Sequence, residues 1–240
     1  MESRSLAATT AANAADVRDR IEAAARRAGR DPESVCLVAV AKKFPETHVR
    51  AAVDAGLAHI GENRVQEALD KIAWVAELPI TWHLIGHLQS NKAGHAVTSF
   101  AWIHSVDSIG LLQRLDRLSA DAGTRPNLLV QVDLAKEATK HGASEDDTRR
   151  IFEAAAGCHS VSMRGLMVLP PRADTPEGSR PFFRRLRELR DELIDHGVDP
   201  AMLHELSMGM SHDFEVAVEE GATMVRVGTG IFGPRPRPEA

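Results

Sequence analysis

Lys42 stands at the end of the apolar run VCLVAVA (Val35–Ala41), and two glycine-bearing turns lie near the other end of the chain. One is LSMGMS (Leu206–Ser211); the other is VRVGTGIFG (Val225–Gly233). Each reads as a buried strand that runs into a turn opening a helix. Gly209, Gly228 and Gly230 let backbone N–H groups come close to a ligand. Helix starts add unpaired N–H groups and partial positive charge, so two such turns side by side would cradle one phosphate dianion. A strand-end lysine facing a phosphate cradle suggests a cofactor with a phosphate at one end and an amine-seeking aldehyde at the other. Pyridoxal 5′-phosphate (PLP) is such a cofactor.

Side chains alternate faces along a strand, so Lys42 shares a face with Val38 and Val40. Lys43 points elsewhere and reads as a surface residue. Partial desolvation of an inward lysine makes its amine the better nucleophile. Arg226 lies two residues before Gly228 in the last strand. A buried arginine there is either half of a structural ion pair or a group facing the cofactor ring nitrogen. Asn63, in GENRVQE, either caps the next helix or donates to a cofactor hydroxyl. GTGIFG (Gly228–Gly233) matches the letters of a dinucleotide fingerprint, but that motif needs an acidic residue about 20 positions further on. No G-x-S-x-G elbow is present. His83 and His87 are four apart, a metal-binding spacing only on a helix, and His83 reads as strand. The other histidines of the 11 are scattered, so no metal site is expected.

Eight strands alternating with helices must position these groups. The strands centre on VCLVAVA, HIGE, WHLIG, WIHSV, NLLVQVD, VSMRGLMVL, MLHELSM and TMVRV. Over 240 residues that count predicts a single closed (β/α)8 barrel of the TIM type with an extra N-terminal helix, Ala14–Ala28. An open doubly wound sheet is the alternative. Residues 1–13 are expected to be an unstructured leader, 14–233 the barrel and 234–240 a flexible tail. The barrel makes a demand: chemistry belongs after strand C-termini, where Lys42, Asn63, Asp133, Ser211 and Gly228 fall. The phosphate site belongs to the loops after strands 7 and 8.

Composition bounds the rest. A hydrophobic content of 43% supports a full core, and a net charge of −5 argues against a nucleic-acid binder. Cys36 and Cys158 lack disulfide spacing, which suits a reducing, cytoplasmic location. No apolar run reaches about 18 residues, so no membrane span is expected.

Taken together, VAVAKKFP, AGLAHIGENRVQEALDK, WHLIGHLQSNK, RGLMVLP and LSMGMSHDFEVAVEEGATMVRVGTGIFG resemble the pyridoxal-phosphate homeostasis proteins, whose fold is similar to the barrel domain of alanine racemase. The resemblance covers about Val17 to Gly233. It implies a PLP-binding protein of intracellular PLP homeostasis, with PLP held as a Schiff base on Lys42. It places Ser211, Gly228 and Thr229 at the phosphate, Asn63 beside the ring, Arg226 towards the ring nitrogen and Lys140 at a secondary PLP site. It implies no robust catalysis, PLP-requiring apo-enzymes as partners, and a monomer, with a dimer as the alternative. The sequence departs from the family pattern Ser-Lys-Thr-Lys-Pro, having Ala41, Lys42, Lys43, Phe44 and Pro45 there, and His141 stands where serine is frequent. A weak PLP-dependent amino-acid racemase is the competing reading. The absence of tyrosine counts against it, because alanine racemase uses a tyrosine as its second base. A phosphate-binding barrel that takes no PLP is a third reading.

Overall fold

In this computed structural model residues 2–135 and 141–234 are described. Helix α1 (Glu2–Arg27) precedes eight strand–helix units. The strands are β1 (Cys36–Val40), β2 (His59–Glu62), β3 (Thr81–Leu84), β4 (Trp102–Val106), β5 (Asn127–Val132), β6 (Ser162–Val168), β7 (Glu205–Met210) and β8 (Met224–Val227). The helices after them are α2 (Glu46–Asp54), α3 (Val65–Trp74), α4 (Ala93–Ser99), α5 (Ile109–Ala122), α6 (Glu145–Ala155), α7 (Arg180–Asp195), α8 (Phe214–Glu219) and α9 (Thr229–Phe232). All strand pairs are parallel, and β8 returns to β1 with Arg226 opposite Val38. That closing pair excludes the open sheet. Local signals start and stop the helices as capping chemistry requires: Ser108 and Ser144 accept N–H bonds at the starts of α5 and α6, and Gly123 takes a left-handed conformation at the end of α5.

The main apolar core fills the space between strands and helices. Inside the barrel the filling differs. A small cluster of Leu129, Met167 and Met224 is the apolar part, and His83, His104, Ser207 and Arg226 are buried beside it. Two cavities flank this plug. One, of about 800 Å³, lies at the strand N-termini against Cys36, His59 and Glu205. The other, of about 570 Å³, lies at the C-termini against Val40, Asn63 and Arg226.

The expected leader is corrected. Residues 2–13 continue α1, and Thr10 is as buried as Ala14, Val17, Ile21 and Ala24. Their spacing of three and four puts them on one helix face. The alanine-rich composition that reads as low complexity is also the best helix former. Asn13 Nδ2 donates to Ile231 O at 2.9 Å, so this helix braces the last turn of the barrel. The tail beyond residue 234 lies outside the described residues. No helix among the described residues is long and apolar enough to cross a membrane.

Candidate functional site

The C-terminal cavity is lined by Lys42, Asn63, Ser211, Arg226, Gly228 and Thr229 together. These six come from four loops or strands separated by up to 187 positions in sequence, and only barrel closure brings them to one place. Lys140 lies outside the described residues.

β1 ends at Val40, and Ala41 N still donates to Gly61 O of β2 at 3.0 Å. Lys42 therefore continues the inward alternation of Val38 and Val40. Lys43 is exposed and takes φ 66°, a left-handed backbone that lets Phe44 N return to Ala41 O. Lys71 of α3 pins this corner: its Nζ donates to Ala41 O at 2.7 Å and to Glu62 Oε1 at 2.5 Å. Glu62 is fully buried. Burial pushes its carboxyl up and the Lys71 ammonium pulls it down, with burial prevailing.

The loops after β7 and β8 meet at Ser211. Its Oγ accepts from Gly228 N at 3.1 Å and from Gly230 N at 3.2 Å. Two backbone donors thus converge on one oxygen. The helices behind these turns are short, α8 having 6 residues and α9 having 4, so the anion-binding capacity lies in the local N–H groups rather than in a long helix. Asp213 fixes the first turn, its Oδ1 accepting from Met210 N at 2.7 Å.

Asn63 is not the cap of α3; Arg64 holds that position. Instead Asn63 packs against Gly86. A Cβ on Gly86 would come within 2.1 Å of Asn63 O and 2.8 Å of its Oδ1, so glycine there leaves Asn63 its place at the cavity wall.

Arg226 is buried and hydrogen-bonded to neutral acceptors, Ser207 Oγ at 2.5 Å and Val168 O at 2.8 Å. Burial pulls its guanidinium down to about 10, opposed by Asp213, and leaves it charged at neutral pH. Among the described residues Arg226 makes no ion pair, and the buried cation, under the influence of Asp213, lines the open cavity. Behind it runs a file that sequence reasoning missed. Ser207 Oγ lies 2.9 Å from His104 Nδ1, His104 Nε2 lies 2.9 Å from His83 Nδ1, and His83 Nε2 lies 2.9 Å from His59 Nδ1. Arginine only donates. A run from Arg226 to Ser207, then His104, His83 and His59, gives each of these contacts one donor and one acceptor. All three imidazoles are then neutral. Burial holds His104 well below the usual histidine range and brings His83 down to about 3. The signal in the sequence was a histidine inside each of two apolar strands, WHLIG and WIHSV.

The histidines are also less scattered than they read. His87 and His141 stack with ring centres 3.5 Å apart, because the loops after β3 and β5 flank the same sector of the barrel mouth.

Residues 12–236 match the family model described as alanine racemase, N-terminal domain. The chain belongs to this family. Within it, the chain is similar to the pyridoxal phosphate homeostasis protein of Pseudomonas aeruginosa, at 45% identity over 95% of this chain and 96% of that protein. The protein of the same name from Aquifex aeolicus is 42% identical over 91% of this chain and 95% of its own length. Among solved structures, PipY of Synechococcus elongatus with PLP bound superposes with a TM-score of 0.83 at 43% identity, over 93% of this chain and all of that one. Alanine racemase of Clostridium difficile, at 14% identity, shares the fold with a TM-score of 0.71, over 92% of this chain and 59% of that one.

Proposed function

We propose that the C-terminal cavity binds pyridoxal 5′-phosphate and that the protein holds and releases this cofactor in PLP homeostasis. The observation that carries the reading is the pair of backbone donors, Gly228 N and Gly230 N, aimed at one oxygen across the cavity from a strand-end lysine. Relatives carrying the homeostasis name and the PLP-bound PipY support the same reading.

PLP supplies an aldehyde that combines reversibly with primary amines, and a phosphate. The residues present suit both ends. Lys42 offers the amine. Gly228 N and Gly230 N, which here donate to Ser211 Oγ, would turn to the phosphate once that contact opens, with the Thr229 position between them, and the Ser211 hydroxyl would add a further donor. Asn63 provides an amide at the side wall. Arg226 holds its protons at neutral pH, so a ring nitrogen facing it would accept a hydrogen bond and stay unprotonated, which would weaken the ring as an electron sink. We extend the reading to a cytoplasmic monomer that delivers PLP to apo-enzymes, with Lys140 a secondary holding point.

Replacing Ser211 by alanine removes one phosphate donor and leaves the amine intact. Binding of PLP is expected to weaken about tenfold, while pyridoxal, which lacks the phosphate, is affected far less. Equal loss for both ligands would place the phosphate elsewhere.

A further inference from the structure

We propose that His87, Asp107 and His141 form a binding site for a divalent transition-metal ion of the zinc type at the rim of the barrel mouth. The site is separate from the PLP cavity and independent of the reading given above.

Three successive sectors of the barrel supply the ligands. His87 follows β3, Asp107 follows β4 and His141 follows β5. The ligand atoms all lie within 4.8 Å of one another. His87 Nδ1 is 3.5 Å from Asp107 Oδ2, too long for a good hydrogen bond. Metal–ligand bonds of about 2.1 Å in a tetrahedron place ligand atoms about 3.4 Å apart. The His87–Asp107 pair already has that spacing. Any other pair must close by about 1.4 Å at most to reach it, a movement within reach of exposed imidazoles such as His87 and His141.

The rings of His87 and His141 lie face to face, 9° from parallel, so their in-plane lone pairs do not yet converge, and one exposed ring must turn out of the stack to bind the ion. Two imidazoles and one carboxylate, without thiolate, select borderline divalent ions such as Zn²⁺, Co²⁺ or Ni²⁺ over soft Cu(I) or hard Ca²⁺. Three protein ligands leave a fourth position for water or a small ligand. The recess beside the site, about 210 Å³, adjoins the PLP cavity, Asn63 and Leu169 lining both.

The test is calorimetric titration of Zn²⁺ into the chelator-treated full-length chain. One equivalent is expected to bind. Affinity should fall by at least about 10–100-fold in His87→Ala and in His141→Ala, and stay unchanged in His196→Ala, an exposed histidine elsewhere. Co²⁺ should give visible absorption bands that the same two variants lose, with unchanged thermal unfolding showing that they fold. No binding by the parent, or equal binding by the His87→Ala/His141→Ala double variant, would overturn the proposal.

Discussion

Moving from pH 6.5 to pH 4.5 is expected to destabilise the protein by at least about 2 kcal/mol, a large fraction of a small protein's stability. The loss comes from the inside of the barrel. His83 and His104 have folded pKa values far below their unfolded value of about 6.5. A group depressed on folding keeps its neutral form in the native state while the unfolded chain takes up the proton. The stability is therefore complete above about 6.5 and declines as the pH falls towards the folded values, by up to about 1.4 kcal/mol per pH unit for each group. His48 and His59 are displaced in the same direction, also by burial first. The Arg180 partners Glu177, Glu219 and Glu220 are held below the usual carboxylate range, so they add their loss at still lower pH. Across the interval from 6.5 to 4.5 the histidines dominate, while Glu62, whose carboxyl burial pushes up, acts in the opposite sense. Urea midpoints across it provide the measurement, and His104→Asn should cut the slope by about half. A midpoint that does not move would mean that the file carries protons, contrary to the direction derived from Arg226.

Gly165→Ala is expected to cost about 3–5 kcal/mol and to lower the melting temperature by about 10 °C or more. Gly165 of β6 sits opposite Glu205 of β7, and a Cβ there would lie 1.8 Å from Glu205 O. No side-chain rotation relieves a clash with backbone, so the two strands must part. Ser207 is two residues beyond Glu205 on the same face, and Arg226 hangs from it. The substitution should thus displace the cavity's cation as well as loosen the barrel. Thermal unfolding reads the first effect, and the absorption of bound PLP reads the second. A melting temperature within about 2 °C of the parent would show that β6 and β7 can separate freely.

The site was legible in the sequence wherever one strand alone decides it. Period-two alternation puts Lys42 with Val38 and Val40, and Arg226 on the same face as Gly228. The turn at 228–230 was legible as part of the cavity wall, whereas Gly209 proves to be glycine for close packing against Phe214 and Ala217. Features that need two or more strands were hidden. Alternation brings His59, His83 and His104 inward one at a time, but their mutual contacts depend on the stagger of neighbouring strands around the closed barrel. Ser207 reads as an ordinary strand serine until Arg226 is seen beside it. His87 and His141 meet only because three consecutive strands place their loops in one sector. The first 13 residues were misread for another reason: alanine and threonine signal low complexity, and the burial of Thr10 depends on a helix face that meets the end of the chain.

The most direct test of the central claim is borohydride reduction of the PLP-loaded protein followed by peptide mass mapping. The account predicts one reduced pyridoxyl-phosphate group on the peptide containing Lys42 and a yellow absorption lost on reduction, both absent from a folded Lys42→Ala variant. The same modification on another lysine in the parent, or equal labelling of Lys42→Ala, would contradict it.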